Sequence, residues 1–252
     1  AARFIHPTFF GSGLSGLGMK LLIDAGNTRI KWALADANDW VRSGVLPVEQ
    51  AGELAQQFVG IQQIWVSNVA GEEVARQIRN IRDGQPHFVV AREQQCGVRN
   101  GYSNAGQLGC DRWAALIAAW HLLHEKCLVV NCGTATTIDT LSGQGEFRGG
   151  LILPGVELMQ RSLVAATDQL KSTQGKYVPL PRNTADALYS GAIQASCGAI
   201  ERQHALLGDD SAPVVLSGGA AGALREHLGM PLHVVDNLVL QGLMLIAQET
   251  NA

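Results

Sequence analysis

Lys20-Leu-Leu-Ile-Asp-Ala-Gly-Asn-Thr-Arg-Ile-Lys31 decides the fold. An apolar run over residues 20–24 closes on Asp24, and a polar turn follows. A second strand pattern then occupies 29–35, with a weaker third over 39–46. The same order returns further along the chain. Cys127-Leu-Val-Val-Asn131 is an apolar strand, Cys-Gly-Thr-Ala a polar turn, 136–141 a second strand and 146–153 a third. Behind the first triple, helical spacing at 49–59, 71–82 and 106–125 alternates with strands at 63–69 and 87–90. Behind the second, helices at 156–166, 184–207, 220–227 and 238–248 alternate with strands at 213–217 and 232–235. The pattern predicts an α/β protein duplicated in topology though not in residues. Its halves are 19–125 and 126–252, and with no Pro/Ser linker between them they are expected to pack across a cleft.

Composition narrows the function classes. Hydrophobic residues make up 46% of the 252 and charged residues 16%, enough for a sizeable core and against disorder. The net charge of −3 and the absence of a basic run exclude the footprint of a nucleic-acid binder. The longest apolar stretch, 113–120, is far short of the ~20 residues of a membrane-spanning helix. Cys96, Cys110, Cys127, Cys132 and Cys197 are odd in number and form no C-x-x-C pair, so they read as free thiols of a reducing cytosol. The histidine spacings offer no structural transition-metal site. Residues 1–18 lack any strand or helix period and read as vector-derived or as an over-long start. Gly11-Ser-Gly-Leu-Ser-Gly16 within them matches a dinucleotide fingerprint, but no strand precedes it and no helix follows, so it is a decoy.

Four segments can carry chemistry. Asp24-Ala-Gly-Asn-Thr28 and Asn131-Cys-Gly-Thr-Ala-Thr136 hold matching places in the two halves. Backbone N–H groups of such turns form concave anion sites, and Asn or Thr side chains donate to phosphate oxygens. Asp24 would be repelled by a bare phosphate, so its natural role is to hold Mg²⁺, directly or through water. Either turn alone is an ordinary hairpin turn, but the matched pair favours phosphate binding. No G-x-x-x-x-G-K-[ST] segment exists, which excludes a P-loop. Gly109-Cys-Asp-Arg112 follows Tyr102 and opens a helix almost free of charge. Asp111 can cap that helix, or it can serve as base for a hydroxyl while Arg112 holds an anion. Gly218-Gly-Ala-Ala-Gly222 is either a tight turn or flat backbone for an adenine or ribose.

Taken together, Asp24–Lys31, Gly109–Arg112, Asn131–Asp139, Gly149-Gly-Leu-Ile-Leu-Pro-Gly155 and Asp236-Asn-Leu-Val-Leu-Gln-Gly-Leu243 resemble type III pantothenate kinase, over Met19 to about Ala247. The resemblance implies two ribonuclease-H-like domains of the actin-like ATPase type around a central cleft, working as a cytoplasmic homodimer. It implies ATP-dependent phosphorylation of pantothenate to 4′-phosphopantothenate, the first committed step of coenzyme A synthesis. By matching position, Asp24, Ala25, Gly26, Asn27, Thr28, Arg29, Ile30 and Lys31 form the first phosphate loop, and Thr134 makes the second phosphate contact. Asp111 is the implied general base. Tyr102, Gly109, Cys110, Asp111 and Arg112 line the pantothenate site, with Thr184 contacting substrate near a dimer interface. The segment 218–222 becomes the adenosine side. Two departures stand out. Asn131 replaces the family's usual Asp, a ligand of the activating K⁺ or NH₄⁺, and Asn104-Ala105 replaces the usual Asn-Pro. Two other functions compete: a kinase of the same fold acting on a sugar or carboxylate, and a non-catalytic accessory factor in transcription. Retention of Asp24, Asp111, Arg112 and Thr134 argues against a dead enzyme.

Overall fold

β1 (Met19–Ala25) and β2 (Arg29–Asp36) pair antiparallel, with Asp24 opposite Lys31 and Ala25 opposite Ile30. They belong to a computed structural model that describes residues 18–36, 39–167, 170 and 174–250. The glycine-rich decoy and all of the expected N-terminal extra segment except Gly18 lie outside those residues. β3 (Asp39–Pro47) extends the sheet on one side. A 3₁₀ turn (Val48–Glu53) and the short α1 (Leu54–Gln57) lead to β4 (Gln63–Asn68), α2 (Glu72–Arg79) and β5 (Gln85–Phe88). The result is a five-stranded sheet of order β3-β2-β1-β4-β5.

The next segment differs from the sequence pattern. Residues 94–100 form two short strands, β6 (Gln94–Gln95) and β7 (Val98–Asn100), around a turn where Cys96 and Gly97 take positive φ. Their polar pair and short length leave no alternation to read. The helix expected over 106–125 is a 3₁₀ turn at Ala105–Gln107 followed by α3 (Cys110–Leu123). Leu108 and Gly109 are extended between them, and His124 in the left-handed region ends α3.

β8 (Cys127–Cys132), β9 (Ala135–Leu141) and β10 (Glu146–Pro154) rebuild the opening triple. α4 (Val156–Ala166), α5 (Thr184–Ala205), β11 (Val214–Ser217), α6 (Ala221–Arg225), β12 (Leu232–Val234) and α7 (Leu238–Thr250) complete the chain. The second sheet runs β12-β11-β8-β9-β10-β7-β6. Its stretch β10-β9-β8-β11-β12 repeats β3-β2-β1-β4-β5 element for element, which establishes the duplication. Because β7 pairs with β10, sheet membership changes between Phe88 and Gln94, ahead of the division expected at residue 125.

α3 is apolar on nearly every side, as a helix buried in a core must be. It shares one core with α7 and with residues of both sheets, among them Leu22, Trp65, Val129 and Val215. Gly242 of α7 lies so close to the Ala114 carbonyl that a Cβ there would collide with it. The start of α3 is thereby fixed between the two sheets. Among the described residues, no helix is long and apolar enough to cross a membrane.

Candidate active site

Folding brings Asp24, at the end of β1, near Asp111, in the first turn of α3. Burial and then the Asp111 charge push the Asp24 carboxyl up to about 7, while Lys31 and the Ser67 hydroxyl pull the other way. Asp111 is half-buried, and its Oδ1 accepts from the backbone N–H of Arg112 at 2.8 Å. Gly109 makes room for that carboxylate: a Cβ at this position would stand 2.6 Å from Asp111 Oδ1. Cys110 sits between α3 and β4. Its thiol accepts from Ser67 Oγ at 3.4 Å and donates to the Asn68 carbonyl at 3.6 Å. Burial pushes this thiol above its usual pKa, so Cys110 is a packing and hydrogen-bonding group, not a nucleophile.

The two polar turns meet. Thr28 Oγ1 and Thr134 Oγ1 lie 2.8 Å apart, joining the β1–β2 turn to the β8–β9 turn. Asn27, Thr28 and Arg29 are exposed there, whereas the side chains of Ala25 and Ile30 are in the core and leave only backbone for a ligand. Thr134 is half-buried, and its carbonyl accepts from Gly155 N at 2.8 Å. Ala220 N donates to the Cys132 carbonyl at 3.1 Å, so the glycine segment 218–222 packs directly on the second turn. Asn131 is half-buried at the end of β8, with Ser217 and Thr137 as its strand partners. On the opposite face of the same hairpin, facing the core, Thr136 Oγ1 is buried with no hydrogen-bond partner among the described residues.

Arg112, expected to hold an anion, spends part of its fork inside the protein. It is 5% exposed and paired bidentate with Asp139 of β9, Nε at 3.1 Å and Nη2 at 2.5 Å. Nη1 donates to the Tyr102 hydroxyl at 2.8 Å, and the guanidinium lies over the rings of Tyr102 and Phe147. Burial opposes its charge, but the ion pair with Asp139 holds Arg112 above its ordinary pKa. Asp139 was missed from sequence. The available signal was a lone acid in an apolar strand and a lone arginine on an apolar helix, since buried charges must find partners. Tyr102 is set by Asn100, whose Oδ1 accepts from Tyr102 N at 3.0 Å.

Thr184 stands apart from this cluster. It follows the cap Asn183 at the start of α5 and lines an apolar groove of about 740 Å³ between α4 and α5. Among the described residues, no three His, Cys, Asp or Glu side chains group into a metal cage. The hard oxygens of Asp24 nevertheless suit Mg²⁺, since a cation relieves the repulsion between Asp24 and Asp111.

Residues 20–205 match the family model described as type III pantothenate kinase. A protein of Nitrosospira multiformis named type III pantothenate kinase is 47% identical over 240 residues, 92% of each chain. A solved Campylobacter jejuni protein, described as a candidate transcriptional activator of the Baf family, superposes with a TM-score of 0.62 at 23% identity. That superposition covers 92% of this chain and 98% of the other. A candidate 2-dehydro-3-deoxygalactonokinase from Sinorhizobium meliloti gives 0.58 at 15% identity, over 91% and 96% of the two chains. With the repeated sheet order, these likenesses establish the duplicated ribonuclease-H-like, actin-like fold.

Proposed function

This chain belongs to the type III pantothenate kinase family and is an enzyme of coenzyme A biosynthesis that phosphorylates pantothenate from ATP, and we propose that Asp111 is its general base. The observation that carries the assignment is the place of Asp111: Cys110 before it is hydrogen-bonded to Ser67, the strand partner of Asp24, which sets the half-buried Asp111 carboxylate beside the end of β1. Phosphoryl transfer has a loose transition state, so positioning and charge supply most of the rate. Asp111 accepts the proton of the pantothenate hydroxyl as the new O–P bond forms and the bond to ADP breaks. Tyr102, Gly109, Cys110 and Arg112 surround the acceptor, and the part of the Arg112 fork left over by Asp139 and Tyr102 is available to its carboxylate. Backbone N–H groups of 24–31 and the hydroxyls of Thr28 and Thr134 receive the phosphates, with 218–222 on the adenosine side.

Asp24 would hold Mg²⁺, which when bound neutralises phosphate charge. Asn131 would offer a carbonyl oxygen to K⁺ or NH₄⁺ at the end of β8. The apolar groove at Thr184 supports a homodimer in which this residue reaches substrate at the interface. The net charge of −3 and the free thiols support a cytoplasmic enzyme with no nucleic-acid partner. Asp111→Asn tests the base. Its kcat is expected to fall ~10²–10⁴-fold with folding and ATP binding retained. Activity above about a tenth of wild type would put the base elsewhere. ADP release measured with pantothenate against a panel of sugars and acetate separates the acceptors.

A further inference from the structure

We propose that Asp139 is a positioning residue of the acceptor side, fixing through Arg112 where the Tyr102 hydroxyl and the start of α3 lie. Asp139 has this role given the assignment of Arg112 and Tyr102 to pantothenate. Elements distant in the chain converge on the ion pair: α3 supplies Arg112, β9 Asp139, the segment after β7 Tyr102, and β10 Phe147. Both charges are almost wholly withdrawn from water, Arg112 at 5% and Asp139 at 1% exposure.

Stability is a weak reason to keep such a pair. Apolar residues of the same volume are often as stable or more so, because two buried charges must repay their desolvation. What the pair supplies is direction. A bidentate carboxylate fixes the plane of a guanidinium. With Nε and Nη2 turned to Asp139, Nη1 is fixed in the guanidinium plane, and one of its two N–H groups meets Tyr102 Oη at 2.8 Å. The surrounding backbone is shaped to the same end. A Cβ on Gly150 would collide with Asp139 Oδ1, and one on Gly101 with the Phe147 carbonyl, so the strand carrying Phe147 can close over the pair and over Tyr102. β9 also begins at the second polar turn. Asp139 therefore ties the strand leaving the phosphate side to the helix that carries Asp111, and keeps the two substrates in register.

Asp139→Asn preserves shape and removes the charge. Misplacing a positioning group by about an ångström costs up to ~10²-fold. The KM for pantothenate is expected to rise about ten- to a hundredfold, while the KM for MgATP changes less than about twofold. Adding Tyr102→Phe to Asp139→Asn should cost little more, since the first change already frees the hydroxyl. Circular dichroism and MgATP binding by calorimetry establish that the variant is folded. Should it not fold, Asp139→Glu moves the carboxylate by one methylene without removing its charge and is expected to give the same split in KM. Unchanged KM values, or parallel changes for both substrates, overturn the proposal. Arg112→Lys separates the two levels. If it leaves the pantothenate KM unchanged, the acceptor assignment itself falls. If it raises that KM and the Asp139 variants do not, only the positioning role falls.

Discussion

The β1–β2 turn and the β8–β9 turn occupy one place in two copies of a topology, with matching backbone hydrogen bonds and different side chains. Each strand ends beside a buried serine, Ser67 next to Asp24 and Ser217 next to Asn131. Both turns close on a hydrogen bond of their own, Gly26 N to the Arg29 carbonyl at 3.1 Å and Gly133 N to the Ala135 carbonyl at 2.9 Å, but the first exposes Asn27, Thr28 and Arg29 and carries a carboxylate raised by burial and by Asp111. The second is neutral, and although Val48 and Val69 brace the first from outside as Gly155 and Ala220 brace the second, Gly155 stands where the first has Val48 and leaves no room for a side chain. Duplication supplied one scaffold. Charge specialised the first turn and packing the second, so the first should respond to changes in charge and the second to changes in volume.

Asp24→Asn gives the first turn the side chain of the second, and it is the strongest test of that division. Removing a preorganised charge at a transferring group typically costs ~10²–10³ in kcat. A loss of that size is expected, with a raised Mg²⁺ requirement and an unchanged KM for pantothenate, read from Mg²⁺ titrations of initial rate. Lost pantothenate affinity with normal use of MgATP would remove Asp24 from the phosphate side.

The same substitution has an opposite effect on stability. Asp24 titrates at about 7 in the folded protein against 3.8 ordinarily. Between those values the native state holds the proton that the unfolded chain has released, so stability falls as pH rises through the window. Without nucleotide or Mg²⁺, Asp24→Asn should lose that slope and exceed wild type at pH 8 by about 2–4 kcal/mol. Melting temperatures of both proteins from pH 4 to pH 8 check it. Parallel curves would mean that Asp24 carries no stress.

Volume should matter more in the second turn. A Cβ on Gly155 would collide with the Gly133 carbonyl, whereas one on Gly26 would meet the Arg29 carbonyl at 3.2 Å. Overpacking costs about 1–3 kcal/mol, a few degrees of Tm for each kcal/mol in a chain of this size. Gly155→Ala should therefore melt several degrees below Gly26→Ala. Equal losses would erase the distinction.

Contiguous patterns were legible in the sequence. Both opening triples, the two turns, and the Asp111 segment each lie within one short run of residues, and local alternation plus a polar break suffices to find them. Contacts made only by folding were not. Nothing local shows that Arg112 spends its bidentate face on Asp139, or that Gln94–Asn100 joins the second sheet through β10. The apolar spacing runs unbroken across 106–125, yet extended Leu108 and Gly109 split it, because Asp111 Oδ1 claims the space a side chain at 109 would need. Thr184 illustrates the same limit from the other side, since a motif match gives its identity but not its place in the α4–α5 groove.

The smallest effect, and the most direct conversion of one turn into the other, belongs to Asn131→Asp. An amide offers K⁺ one neutral oxygen, while a carboxylate adds a full charge at the same point of β8. Asn131 is half-buried, so its charge would be partly screened by water, and the gain should stay near that of a single favourable surface contact, about 1 kcal/mol. Half-activation by K⁺ is then expected at a concentration several-fold lower than in wild type, with kcat at saturating K⁺ unchanged. The added carboxylate cannot take over the part of Asp24, because it stands at the end of β8, in the other sheet. The double variant Asp24→Asn with Asn131→Asp should thus keep the kcat loss of the first change together with the K⁺ shift of the second. Titrating K⁺ in sodium- and ammonium-free buffer decides it. Superimposable activation curves for wild type and Asn131→Asp would show that the second turn holds no cation, and recovered kcat in the double variant would show that the two turns are interchangeable after all.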